Sequence, residues 1–579
     1  MLAEIRGFPG GVRALCALLA GSAVSLLLLL RWMRIRRLLA VIKRVREKRD
    51  TALRRMEETA GRLANQFPVA DPAVILSLSL AELSKKLQDG SVSPEMVLQC
   101  YMRKALEAAG EVNCVVDYLD ECEEQLEELR RQKHKGPLYG VPVSIKENIS
   151  CKGHACTLGL IKRLNLTASE DSVIVQVLKK QGAIPFVRTN VPQSMLNYDC
   201  SNPIYGQTLN PLNHKKTPGG SSGGEGALIA SGGSILGVGS DIGGSIRLPS
   251  TFCGICGFKP TGNRFSKRGI VVSSPGQRSV TAMAGPLARD VDSLALVMKT
   301  LLCKDMFNLD PVVPPLPFNE EVYSSSRPLC IGYYDDDGFT QATPSMRRAV
   351  LETKALLERA GHKLVPFTPP EVERAIITLS LRGLMADGGA TFLDNFKGDI
   401  VDPNLKAQVS LYFLPNWLNR LLSIIMKPVF PRVSEVMRNT ESLRSVKDLW
   451  KHHTEVEEYR QEFIAKWKKQ DLDAVLCPIL GPALTIGYPG QLSTAVSYSI
   501  LYNLVDFPAG VVPVTTVTKE DEENLKSYVG HYNDFWDRLM KKAVTDGVGL
   551  PVSVQCVALP WQEEQCLRLM KEVERVVKT

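Results

Sequence analysis

Pro218-Gly-Gly-Ser221-Ser222-Gly-Gly and, further on, Gly239-Ser240-Asp241-Ile242-Gly243-Gly244-Ser245-Ile246-Arg247-Leu-Pro249 decide how this chain folds. Both lie in a block, 219–262, that is rich in Gly and Ser and poor in charge. Its apolar spacing is too regular for a flexible linker. Ser221 to Ser231 predicts a buried helix of small residues, and Gly237 onward predicts a strand entering a tight glycine turn. Gly-Gly-Ser at a strand end exposes backbone N–H groups with no side chains in the way, so several donors can point at one anion. That anion is a phosphate or the oxyanion of a tetrahedral intermediate. The phosphate reading wants G-x-x-x-x-G-K-[ST], which the sequence lacks. It also lacks the G-x-S-x-G elbow, because Ile-Arg follows Ser245. The seven histidines are scattered, none in an H-E-x-x-H or triad-like setting.

Upstream, Gly140-Val-Pro142-Val-Ser-Ile-Lys146-Glu147 predicts a strand over Val141–Ile145 with a lysine directly after it. Buried strands seldom end in a charge unless it is paired or used; taken alone, a surface lysine at a strand end is the readier reading. Around this strand the pattern alternates. Ser93-Pro94-Glu95 reads as N-cap, first-turn proline and early acid, opening a helix to about Ala109 and Gly110. Ser172–Gln181 predicts a helix and Ala183–Arg188 a strand. Leu329–Tyr333 and Lys363–Pro366 predict strands with a helix, Ser345–Gly361, between them. Such alternation predicts an α/β layered architecture. At 579 residues the chain has room for two to four domain-sized units or one large α/β domain. Asp310–Phe318 is a proline-rich connector, read as a rigid surface loop or as a docking segment for an SH3-like module.

The net charge of +8 is concentrated: between Arg31 and Arg55 stand eleven Lys or Arg and two acids. A basic run suits nucleic acid or an anionic membrane. What precedes it favours the membrane and argues against nucleic acid: Ala14 to Leu30 is uncharged and mostly apolar. These seventeen residues reach roughly 25 Å as a helix, at the short end for a span. The small-residue site of a cleaved signal peptide is replaced by Arg-Trp-Met-Arg-Ile-Arg-Arg. The anchor is placed at 8–32, a basic helical stem at 33–70 and the catalytic domain at 71–579. The basic flank predicts a single-pass protein with its bulk in the cytosol, at the endoplasmic reticulum or another endomembrane. Fourteen irregularly spaced cysteines then predict free thiols, and Cys253-x-x-Cys256 buried thiols rather than a metal site. No metal or cofactor is expected. The sequons Asn148-Ile-Ser150 and Asn165-Leu-Thr167 are expected to stay unmodified. Leu411 to Met437, inside an insertion placed at 405–440, interleaves apolar and aromatic residues with Arg420, Lys427 and Arg432. Prolines 415, 428 and 431 forbid one straight spanning helix there, so short helices in a membrane interface are expected, with an ordinary core pair as the alternative.

The block 219–262, with Lys146 ahead of it, resembles the amidase signature family, and the resemblance extends over roughly 70–575. It implies a fold with a central twisted mixed sheet flanked by helices in one large domain. It implies a Ser–Ser–Lys triad: Ser245 as nucleophile, Ser221 as bridging serine after a cis peptide, Lys146 as base, and Ser222 in support. It places the oxyanion hole at the amides of Ile242, Gly243, Gly244 and Ser245. Arg247 and Asp241 read chiefly as a charged pair ordering the loop. The anchor, the connector, the 411–437 stretch and Leu550-Pro-Val-Ser-Val-Gln-Cys-Val-Ala-Leu-Pro resemble the membrane-bound, fatty-amide-cleaving members in particular. That implies lipid amides as substrates, such as N-acylethanolamines (anandamide) and oleamide, and a homodimer. Positions matching the acyl channel are Met195, Tyr198, Met385 and Trp536, each equally readable as core. Ser273 stands where members can have cysteine. Rival readings are a general amidase or an amidotransferase subunit of the same family, a Ser/Lys membrane peptidase, and a scaffold without catalysis.

Overall fold

Strand β2, Pro142–Lys146, is buried along its whole length, and the sheet grows from it on both sides. The computed structural model describes residues 10–132 and 134–578, with the side chains of 10–15, 411 and 416 excepted; residues 8 and 9 of the expected anchor lie outside the described residues. In chain order the strands are β1 Val115–Tyr118, β2, β3 Ile184–Thr189, β4 Ser201–Asn202, β5 Gly206–Gln207, β6 Leu236–Asp241, β7 Cys256–Lys259, β8 Met283–Ala288, β9 Cys330–Tyr333, β10 Lys363–Pro366, β11 Ala474–Pro478, β12 Ala509–Thr516 and β13 Pro551–Val557. Among the described residues β4 and β5 pair apart, and the other eleven form one sheet in the order β1-β3-β2-β6-β8-β7-β12-β13-β11-β9-β10. The β2–β3, β2–β6, β9–β10 and β9–β11 pairs are parallel and the rest antiparallel, so the sheet is mixed, as expected. The two α/β stretches read from the sequence are halves of this one sheet. Helices Gly223–Ala230 and Val291–Leu301 pack on one stretch of it, Pro344–Arg359 and Glu563–Lys578 on the other.

Local chemistry sets the helix ends. Ser93 caps helix Pro94–Val112 through the amide of Met96, and Asn113 ends it in the left-handed conformation, three residues beyond the glycine expected to do so. Ser172 caps Val173–Lys180 through the amide of Val175.

Anchor and stem are one unbroken helix, Gly10–Gln66, about 85 Å long at 1.5 Å per residue. It is the one helix among the described residues long and apolar enough to cross a membrane. Its first part exposes Leu18, Leu19 and Leu26 to Leu30, whereas Ile42, Met56, Ala60 and Leu63 are buried against the rest of the chain. The stem's cations are partly committed to that docking. Arg46 donates to the carbonyl of Ile204 (2.6 Å) and Arg49 to Asn113 Oδ1 (3.1 Å), and Arg55 and Arg62 pair with Asp120 and Glu123.

The insertion folds as short helices Lys406–Tyr412, Asn416–Met426 and Pro431–Asn439, with the prolines at their boundaries. Its polarity is inverted: Asn419 and Ser423 are buried, while Trp417, Leu421, Ile424, Ile425 and Val429 are exposed. The inner end is held by Arg432, which pairs with Asp534 (2.6 Å) and Asp537 (3.0 Å) under the ring of Tyr532. Asn148 is fully buried and donates to the carbonyl of Val271, which closes that sequon to a glycan. Cys253 and Cys256 are buried free thiols.

Candidate active site

Three segments meet at the C-terminal end of β2 and β6. Lys146 is the last residue of β2, Asp241 the last of β6, and Ser221 and Ser222 precede helix Gly223–Ala230. The peptide Gly220–Ser221 is cis. Gly244 has φ +126°, where a side chain is strained, and a Cβ there would stand 2.5 Å from Ser499 Oγ; only glycine fits this turn. Ser245 follows and opens into the cavity.

The turn is held from inside. Arg247 and Asp241 are both fully buried and paired, Nη2 to Oδ1 at 2.9 Å and Nε to Oδ2 at 3.1 Å. Arg247 also donates to the Ser499 carbonyl, Gln555 Oε1 and Asn503 Oδ1. Burial pushes the Asp241 carboxyl up, but the charge and hydrogen bonds of Arg247 and the amide of Ile246 outweigh it and hold it well below the usual carboxylate range. Asp241 Oδ1 accepts from the Gly244 amide (2.8 Å) and Oδ2 from that of Ile246 (3.0 Å). The pair orders the loop.

This bond alters one expectation. The Gly244 amide is committed to Asp241 and is not free for an oxyanion. Among the described residues the amides of Ile242, Gly243 and Ser245 have no protein acceptor.

Lys146 is fully buried, and burial lowers its pKa to about 7 against the pull of Asp241, Cys200, Glu225 and Glu147. Its Nζ lies 2.7 Å from Ser221 Oγ, 2.9 Å from Ser240 Oγ and 3.2 Å from the Ser240 carbonyl. A neutral amine has two N–H bonds and one lone pair. Donation to the two Ser240 oxygens leaves the lone pair for the Ser221 hydroxyl. Ser222 supports the site through Ser240: its Oγ donates to the Ser240 carbonyl (3.3 Å) and lies 3.4 Å from the Ser240 amide. The Ser222 amide donates to the Ser245 carbonyl at 3.1 Å, tying the two serine segments together. Ser240 stood in the quoted motif, but strand alternation alone does not show that both its oxygens turn to Lys146.

A cavity of about 570 Å³ opens above these groups, lined by Ser221, Ser245, Ile242 and the side chains of two kinds of wall. Met195, Ile376, Leu384, Met385 and Val436 make the apolar wall, to which the insertion contributes Val436 and the π-helix Arg374–Leu381 contributes Ile376. Lys267, Arg278 and Asp506 make the polar one, and Ser273 also lines the cavity. Tyr198 also lines it and donates its hydroxyl to the Leu492 carbonyl at 2.8 Å. Trp536 does not line this cavity; its indole lies 5.2 Å from the Arg432 guanidinium in the clamp under the insertion. Its spacing in sequence could not distinguish a channel wall from that clamp.

The sequence profile named Amidase matches residues 96–567. Fatty-acid amide hydrolase 1 of Sus scrofa is 54% identical over 569 residues, spanning 98% of this chain and 97% of the relative. Vitamin D3 hydroxylase-associated protein of Gallus gallus is 58% identical over 444 residues, 77% of this chain and 96% of the relative. Among solved structures, one titled fatty acid amide hydrolase superimposes with a TM-score of 0.78 at 25% identity, covering 93% of this chain and 95% of that one. With the profile spanning most of the chain and the glycine-serine loop built as described, the chain belongs to the amidase family.

Proposed function

We propose that this amidohydrolase cleaves fatty acid amides, among them N-acylethanolamines and oleamide, at a membrane surface, through Lys146, Ser221 and Ser245. One observation carries the reading: a fully buried Lys146, its pKa lowered by burial to about 7, with its Nζ 2.7 Å from Ser221 Oγ on the floor of a largely apolar cavity that Ser245 also lines. Ser245 Oγ attacks the amide carbonyl carbon. Its proton passes to Ser221, whose own proton passes to Lys146. The amides of Ile242, Gly243 and Ser245 are the donors for the oxyanion, each worth about 3 kcal/mol in the barrier. When the C–N bond breaks, Ser221 protonates the leaving amine and recovers its proton from Lys146. Water then attacks the acyl-enzyme by the same route, releasing the fatty acid.

The substrate class rests on the surroundings. The apolar wall suits an acyl chain, and the insertion that contributes Val436 turns an apolar face outward. The base of that insertion meets the stem just after the span: Ile400 packs against the apolar cluster that holds Ile42. Anchor and insertion thus meet the same bilayer. We take 8–32 as anchor, 33–70 as stem and 71–579 as the catalytic domain, facing the cytosol at an endomembrane such as the endoplasmic reticulum, with a homodimer following from the family resemblance. The relatives named for fatty amide hydrolysis, over nearly the full length, support the assignment.

The deciding assay is purified full-length protein with oleamide, anandamide and glutamine in parallel. Release of fatty acid from the first two, with glutamine untouched, is expected. Turnover of glutamine alone would favour the amidotransferase-type reading and sink this one. For the membrane face, deletion of 1–31 is expected to leave activity intact and most of the protein in the membrane pellet. Adding Trp417→Asp and Ile424→Asp to that deletion is expected to release it. Full solubility after the deletion alone would refute the role of the insertion.

A further inference from the structure

One residue of the helix that follows the bridging serine has no place in this mechanism. Glu225 lies in the first turn of helix Gly223–Ala230, and both it and its surroundings are fully buried. Its Oε2 accepts from Ser144 Oγ at 2.5 Å and its Oε1 from Thr189 Oγ1 at 2.7 Å. These two donors frame the base. Ser144 stands two residues before Lys146 on the same face of β2, and Thr189 is the register partner of Lys146 on β3. Room for the carboxylate is built in: a Cβ on Gly237 would stand 2.0 Å from Oε2. Among the described residues Glu225 has no ion-pair partner. A buried carboxyl satisfied by two hydroxyls is costly to keep ionised unless a cation comes near it.

The cation available is Lys146. Of the acids facing Lys146, Asp241 on β6 is neutralised by Arg247, and Glu147, just past β2, accepts from the amides of Thr157 and Leu158. Cys200 also faces Lys146, and Cys114 faces Glu225; burial holds both as thiols. Glu225 is left as the acid whose charge is unspent. Burial pushes it up to about 7, against its two hydroxyl donors and Lys146, into the range where Lys146 itself titrates. Amine plus carboxylic acid and ammonium plus carboxylate carry the same net charge and the same protons.

We propose that Glu225 is a positioning residue for the base: its carboxylate, held by Ser144 and Thr189, is the counter-charge that lets buried Lys146 take up a proton during catalysis. It touches neither substrate nor the reacting atoms and acts through the charge of Lys146. The proposal rests on Lys146 being the base.

The test is the pH dependence of kcat for wild type and for Glu225→Gln, which keeps the volume and the hydroxyl partners. Without the negative charge the ammonium is less stable, so the amine stays neutral to lower pH. The acid limb is expected to move down by about one pH unit, with the plateau kcat several-fold lower and KM unchanged. Ser144→Ala and Thr189→Val weaken the carboxylate without removing it and are expected to move the limb the same way by less. In the Glu225→Gln background Ser144→Ala should move it no further. A Glu225→Gln enzyme with the wild-type limb overturns the proposal. Should that variant not fold, an unmoved limb in both hydroxyl variants overturns it equally. Lys146→Ala run in parallel separates the two readings: if it keeps the wild-type limb, Lys146 is not the base. If it loses the limb while Glu225→Gln leaves it in place, only the role of Glu225 falls.

Discussion

Ser245→Ala is expected to cut kcat by at least about 10⁴-fold and to abolish labelling by a fluorophosphonate probe, with folding unchanged. The loss is large because no second hydroxyl stands on the turn that carries the three free amides. A water attacking in place of Ser245 would lose the covalent intermediate as well as the positioning. Folding is spared because the turn is held by groups that alanine keeps. The Ser245 carbonyl still accepts from the Ser222 amide, and the Asp241–Arg247 pair still fixes the amides of Gly244 and Ile246. Ser245 is only half-buried, so the missing hydroxyl leaves space in an open cavity rather than a sealed void. An unfolding free energy within about 1 kcal/mol of wild type is expected. Undiminished labelling would show another serine to be the nucleophile, with Ser221 the first to examine, and would move the reacting carbon toward Lys146.

What the sequence made readable follows from how local each signal is. Helix starts at Ser93 and Ser172 rest on one side chain and a few following amides, and they stand where expected. The glycine-serine block is legible because only glycine tolerates the approach of backbone to Ser499 at Gly244. Strands β8 and β12 gave no such signal. Met-Ala-Gly-Pro-Leu-Ala and Ala-Gly-Val-Val-Pro-Val-Thr-Thr lack alternation because the sheet is covered on both faces there, and their Gly and Pro read as turns. The π-helix Arg374–Leu381, which contributes Ile376 to the apolar wall, differs from an α-helix only in its hydrogen-bond register, and no residue pattern marks that. Trp536 and Glu225 were lost to the same ambiguity. An aromatic between two acids, Asp534 and Asp537, suits a channel or a clamp, and an acid in a first helical turn reads as a solvated cap until its neighbours Ser144 and Thr189 are brought in from two strands.

Lys146→Ala separates the chemistry of the base from its electrostatics, and both halves have a defined sign. With a wild-type pKa of about 7, Lys146 is neutral above that pH and protonated below it, so wild-type kcat/KM is expected to rise through pH 7 to a plateau. The variant is expected to lose about 10³-fold or more at pH 7 and to show no such limb. It should recover in part at high pH, where hydroxide takes the proton that Lys146 took. A profile parallel to wild type would exclude the lysine as the base. Stability gives a second, independent reading. The ordinary lysine pKa of 10.5 in the unfolded chain exceeds the folded value, so the unfolded state binds more protons between the two. The buried amine therefore costs stability fully below about pH 7 and not at all above about pH 10.5. Wild type is expected to gain on Lys146→Ala by a few kcal/mol as pH rises across that window. The methylenes lost in the variant add an offset that does not depend on pH, so the slope isolates the proton. A difference in unfolding free energy that stays flat from pH 7 to 10 would mean that Lys146 is not held neutral, and the relay through Ser221 would have no acceptor.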